Sequence, residues 1–161
     1  MISSRVAVAV HVLAYLAWKR SEGATSERIA ASVNTNPVVV RRIVGALRNA
    51  GMVTVQPGVG GGAQLAREPG QITLLDVYRA VEDADELFSL HPQTPRRDCS
   101  IGGNIQHVLQ GIFCRARQAM ERELDEVTIA DVGREVMARA GHCGCDRVQE
   151  PAHAAAGERQ A

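Results

Sequence analysis

Aromatic residues are scarce here: Phe, Tyr and Trp make up 3% of the 161 residues, although hydrophobic residues as a whole reach 45%. The core must therefore be built from Val, Leu, Ile and Ala, which suits packed helices better than an aromatic-rich β-sandwich. Long apolar runs are also missing. A membrane-spanning helix needs about 20 apolar residues in a row, and the best candidate, residues 6–17, runs straight into Lys19 and Arg20. That segment lacks the basic leader and small-residue cleavage site of a signal peptide. The chain thus reads as cytoplasmic, with no membrane partner. In that compartment Cys99, Cys114, Cys143 and Cys145 are expected to be thiols, metal ligands or redox-sensitive groups rather than a disulfide framework.

Net charge is absent too, but the zero conceals an asymmetry. Residues 1–66 hold seven Lys or Arg against two Glu, giving +5, and residues 67–161 hold eleven against sixteen, giving −5. Affinity for phosphate depends on local charge density, so a neutral whole does not argue against nucleic acid. The length supports one ordinary core, or a small domain with an extension that borrows a partner's core by dimerising.

Along the chain, Ser3 or Ser4 caps a first helix with Val6, Val10, Leu13, Ala14 and Ala17 at helical spacing, ending in Lys19-Arg20. Thr25-Ser26-Glu27-Arg28 reads as a cap followed by acid in the first turn of a short helix through Ile29, Ala30 and Val33. Asn36 before Pro37 is an N-cap with Pro at the first helical position. The helix it opens carries Val40, Ile43, Val44 and Leu47 on one stripe, with Val39, Arg42 and Asn49 elsewhere, and stops at Ala50-Gly51. Residues 52–56 read as a strand, residues 57–62 as a glycine-rich turn, and residues 63–66 as a returning strand. Three helices and a hairpin in this order predict a winged helix.

Thr73 caps a further amphipathic helix with Leu74, Leu75, Val77, Tyr78 and Val81. Residues 83–103 then form a loop, a length that is uncommon without a function of its own. From Asn104 a long helix bears Ile105, Val108, Leu109, Ile112, Ala116, Ala119 and Leu124, a stripe too extended for this chain to cover, so a second protomer is its simplest cover. Thr128 caps a last helix through Ile129, Val132 and Val136. The expected fold is mainly α. A winged helix-turn-helix domain with a two-stranded wing occupies residues 1–66, and residues 67–140 hold a linker helix, a sensor loop and dimerisation helices. Residues 141–161 are expected to be a disordered tail.

In a helix-turn-helix the second helix enters the major groove with its N-terminal residues at the base edges, while the wing reaches backbone or minor groove. Val38 and Val39 suit thymine methyls, and Arg41 and Arg42 suit phosphate or guanine, without deciding which arginine reads bases. Thr35, Asn36 and the helix N-terminus suit phosphate. The wing glycines let bare backbone approach the sugar-phosphate surface. A nucleotide-binding P-loop is excluded, because no Lys-Ser/Thr pair or helix follows the glycines.

Met1-Ile2-Ser3-Ser4-Arg5, Ser26-Glu27-Arg28-Ile29-Ala30, Leu47-Arg48-Asn49-Ala50-Gly51 and Gly60-Gly61-Gly62-Ala63-Gln64-Leu65, in that order and spacing, resemble the bacterial Rrf2 regulator family over residues 1 to about 140. The resemblance implies a homodimeric winged-helix repressor or activator, with the long helix as dimerisation element and the preceding loop as sensor; because a twofold dimer presents two equal recognition helices to double-stranded DNA, a palindromic operator is expected. The DNA-facing set is then Ser3, Arg5, Thr25, Ser26, Asn36, Pro37, Val38, Val39, Arg41, Arg42, Gly60, Gly61 and Gln64. Several family members hold an iron–sulfur cluster on three loop cysteines. This chain has only Cys99 there, so it is similar to the cluster-free branch and no cofactor is expected. The familiar wing arginine is also missing, replaced around Gln56-Pro57.

Cys99 and Cys114 are the sensor candidates. A helix N-terminus downstream of Cys99, with Arg96 and Arg97 nearby, favours its thiolate. Cys114 shares a helix face with His107, Gln118 and Glu121, and a Cys99–Cys114 disulfide would reshape the loop. His142-Cys143-Gly144-Cys145 falls short of a zinc site's ligand set. The alternatives are an iron–sulfur cluster on Cys99, Cys114 and His107, an enzyme with Cys99 as nucleophile assisted by His91 or His107, and a winged helix used as a protein-interaction module.

Overall fold

Two side-chain caps decide where the second and third helices begin. In the computed structural model, which describes residues 4–19, 23–58, 61–82, 90–93 and 95–140, α1 spans Ser4–Lys19, α2 Ser26–Val33 and α3 Pro37–Asn49. The Thr25 hydroxyl accepts from the Arg28 amide at 3.3 Å, and the Asn36 side chain accepts from the Val38 amide at 2.8 Å. Between them Asn34 adopts a left-handed φ of 57°, ending α2 and turning the chain into α3. Each such cap contributes about 1 kcal/mol. Val40, Ile43, Val44 and Leu47 are the buried stripe of α3, as the spacing predicts.

In α1 the buried line is Ala9, Val12, Leu13 and Leu16. The predicted stripe of Val6, Val10, Ala14 and Ala17 is half-buried beside it, with Leu13 common to both. The helix is apolar nearly all round, so periodicity does not single out its inner face; packing against α2, α3 and α4 on one side and α6 on another does.

The wing is β1, Val53–Gln56, paired antiparallel with β2, Gly62–Leu65, with Val53 opposite Leu65 and Gln56 opposite Gly62. Ala24 adds a one-residue rung along β2, exchanging amide hydrogen bonds of 3.0 and 2.9 Å with Ala63. This rung brings the chain before α2 so close to the wing that a Cβ at Gly62 would lie 2.7 Å from the Ala24 backbone, at a φ of +150°.

After a 3-10 turn at Pro69–Gln71 come α4, Leu74–Val81, α5, Ile105–Glu126, and α6, Ile129–Ala140. Thr73 and Asp76 form a reciprocal capping box on α4, and Thr128 and Asp131 bond in the same pattern on α6. Hydrogen bonds from Leu74 to Val127 and from Ile129 to Ile72 tie the two caps together. Ile72, Val77, Val81 and Ile129 therefore enter the same buried cluster as the three N-terminal helices. The outcome is a mainly helical chain with a winged helix-turn-helix and a two-stranded antiparallel wing.

α5 is different. None of its 22 residues is buried, and Ile105, Val108 and Ile112 are 36%, 53% and 44% exposed. It packs against α4, where Arg79 meets Glu121 at 3.1 Å. Among the described residues no helix is long and apolar enough to cross a membrane.

Candidate nucleic-acid interface and cysteine loop

Burial of Val40, Ile43, Val44 and Leu47 leaves Val38, Val39, Arg41, Arg42, Arg48 and Asn49 exposed on the rest of α3. Val38 and Val39 project at its N-terminal turn, 47% and 39% exposed. Beside them Arg41 reaches back to α2, its guanidinium 3.0 Å from the Glu27 carboxylate. That bond is the main cause of a Glu27 pKa below the usual carboxylate range, with help from backbone and Thr25 hydrogen bonds. Glu27 was not among the residues expected at the site; a partner 14 positions away leaves no spacing signal.

Thr25 and Asn36 are exposed caps, and Ser26 and Pro37 are half-buried at the first positions of α2 and α3. The helix-turn-helix thus brings Thr25, Ser26 and residues 36–42 to neighbouring helix starts. Arg5, at the start of α1, lies 3.4 Å from Glu82 just beyond α4. In the wing, Gly61 and Gln64 are half-buried. A Cβ at Gly61 would run into the Gln56 carbonyl. These glycines thus have a reason inside the fold, besides any approach to DNA. Ser3 and Gly60 lie outside the described residues.

Cys99 and Cys114 are free and exposed. The Cys99 thiol is held below its ordinary pKa, chiefly by the backbone N–H of Gly102 and then that of Ile101. The expected direction holds, but the cause differs from the one expected. Arg96 is engaged by Asp98, and the amides acting on Cys99 belong to the turn before α5 rather than to α5 itself. Asn104 precedes α5 but turns its side-chain amide back to the Ser100 carbonyl at 2.9 Å.

Cys114 accepts a 3.7 Å hydrogen bond from Gln118. His107 lines a polar pocket with Pro95, Arg97 and Asn104, and His91 bonds to Gln93. Neither histidine is hydrogen-bonded to Cys99. His142, Cys143 and Cys145 lie outside the described residues.

Comparison with known proteins agrees with this geometry. The profile of the Rrf2 family, described as an iron-dependent transcriptional regulator, matches residues 2–135. YwnA of Bacillus subtilis (strain 168), provisionally named an HTH-type transcriptional regulator, is 46% identical over 132 residues, covering 82% of this chain and 96% of its own. CymR of the same organism, an HTH-type transcriptional regulator, is 29% identical over 133 residues, covering 81% of this chain and 88% of its own. A solved structure of CymR, called the global cysteine regulator of B. subtilis, superposes with a TM-score of 0.64 at 26% identity, covering 84% of this chain and 97% of that one.

The donors among the described residues are not arranged to hold the iron of the family description. Among the described residues no group of three or more His, Cys, Asp or Glu is gathered to hold a metal ion.

Proposed function

The chain belongs to the Rrf2 family of transcriptional regulators, which are not enzymes, and from that premise we propose that it is a cytoplasmic, homodimeric repressor reading a palindromic operator through α3. The exposed N-terminal face of α3, with Val38 and Val39 beside Arg41 and Arg42, carries this reading. Valines there receive thymine methyls, and an arginine reaches guanine or phosphate. The bare α5 stripe supports the dimer, since a second copy laid along Ile105, Val108 and Ile112 removes apolar surface from water. Two equal recognition helices then engage half-sites about one helical turn apart.

The exposed, acidified Cys99 thiol supports redox control through the loop before α5. The test is selection of genomic fragments by the reduced protein, repeated after mild oxidation and with Cys99→Ser. A palindromic motif whose binding weakens on oxidation only when Cys99 is present supports the thiol-switched repressor. A motif indifferent to both retains DNA binding and removes the sensor. Replacing Arg41 and Arg42 together is expected to abolish selection; if the variant selects the same motif, α3 is not the reading element.

A further inference from the structure

Gly45 sits in the middle of α3, where glycine is the least favourable residue after proline. Nothing among the described residues explains it. Beyond its chain neighbours and the backbone of its own helix, a Cβ built on Gly45 finds no atom of the described residues within 4 Å, so no neighbouring helix among them requires the gap, and the backbone is ordinary helix. Its place on the helix is the informative part. Positions three and four away on a helix share a face, which sets Gly45 beside Arg41 and Arg42 on one side and Arg48 and Asn49 on the other. All four are exposed, with the buried stripe on the opposite face. The other helix-interior glycine with open space, Gly133, lines the groove between α1 and α6, away from α3.

An α-helix with its side chains is roughly 10–12 Å across, nearly the width of a major groove at about 12 Å. Whether such a helix reaches the groove floor depends on what its inward ridge carries. On this ridge long side chains flank a residue with no side chain.

We propose that Gly45 is the close-approach position of the recognition helix: the space a side chain would fill is taken by a base-pair edge of the operator, letting α3 seat deeply enough for Arg42 and Arg48 to reach bases. This rests on the reading of α3 as the DNA-contacting helix. It makes residue 45, which has no side chain to bond a base, a determinant of specificity.

The test is a pair of full-length variants, Gly45→Ala and Gly45→Leu, both better helix formers than glycine. Each should melt higher than the wild type, Ala by roughly 2–6 °C. Affinity for the operator selected by the wild type should fall at least about tenfold for Ala and further for Leu, each lost contact at a base edge counting for that much. Affinity for mixed-sequence DNA should stay within about twofold, since phosphate contacts carry it.

Wild-type operator affinity in Gly45→Ala overturns the proposal. A lowered melting temperature overturns it in favour of a packing role, and a changed sedimentation coefficient in favour of a partner contact. If the wild type selects no operator at all, the DNA reading of α3 falls and this inference with it.

Discussion

Arg41 on α3 and Glu27 on α2 meet at 3.0 Å across the helix-turn-helix, with both side chains more than half exposed. A pair this open adds little to stability, because water screens it. Its consequence is orientation: the guanidinium is held beside α2 instead of sweeping the exposed face of α3 that we propose meets DNA. Glu27→Gln should release it. The expected result is tighter binding to mixed-sequence DNA and a salt dependence steeper by about one counterion, with the fold unchanged. Fluorescence anisotropy across a salt series measures both, and an unaltered slope means that Glu27 does not restrain Arg41. The lowered Glu27 pKa fixes the sign with pH. The pair is intact at neutral pH and is lost as pH falls through the depressed value, so acidification should mimic the glutamine.

Backbone amides of Gly102 and Ile101 favour the Cys99 thiolate. Alkylation of Cys99 by iodoacetamide, followed by mass spectrometry across pH, should reach half its maximal rate at a lower pH in the folded chain than in urea. The folded group binds its proton less tightly, so unfolding raises the midpoint. Equal midpoints in the two states would show that the turn does not activate this thiol.

On α5, Val108 and Ile112 contact water in the single chain. Val108→Glu with Ile112→Glu should therefore leave helix content unchanged while sedimentation shifts from dimer to monomer. Operator affinity should drop at least about 100-fold once the two half-sites are no longer read by linked helices. A double variant that remains dimeric would place the interface elsewhere.

Gly62 and Gly45 are expected to respond to alanine in opposite directions. A Cβ at Gly62 meets the Ala24 backbone at 2.7 Å, at a left-handed φ. Gly62→Ala should cost about 1–3 kcal/mol of stability, read by denaturant unfolding. A neutral result would mean that the rung between Ala24 and Ala63 gives way without consequence.

Helix limits were the most legible feature because their signals are local. Thr25, Asn36 with Pro37, Thr73 and Thr128 each act on amides two or three residues away. The buried stripe of α3 was equally plain, since its apolar residues alternate with charge. That of α1 was not, because an almost wholly apolar helix points everywhere. Of the candidate site, the exposure of Val38, Val39, Arg41 and Arg42 follows from the position of α3 in the motif and from the buried stripe opposite them, whereas no chain spacing pairs Glu27 with Arg41.

By itself, then, the order of amino acids determined where the helices start, that three helices precede a wing, and that α5 carries an apolar stripe along its length. Caps and periodicity act over a few residues, so no fold is needed to read them. Only the tertiary structure decided that Arg41 is held by Glu27, that Arg5 meets Glu82 across 77 positions, that Gly62 answers to Ala24, and that amides rather than arginines act on Cys99. Each is a meeting of groups whose distance is set by packed helices and a paired strand, and chain spacing says nothing about such distances.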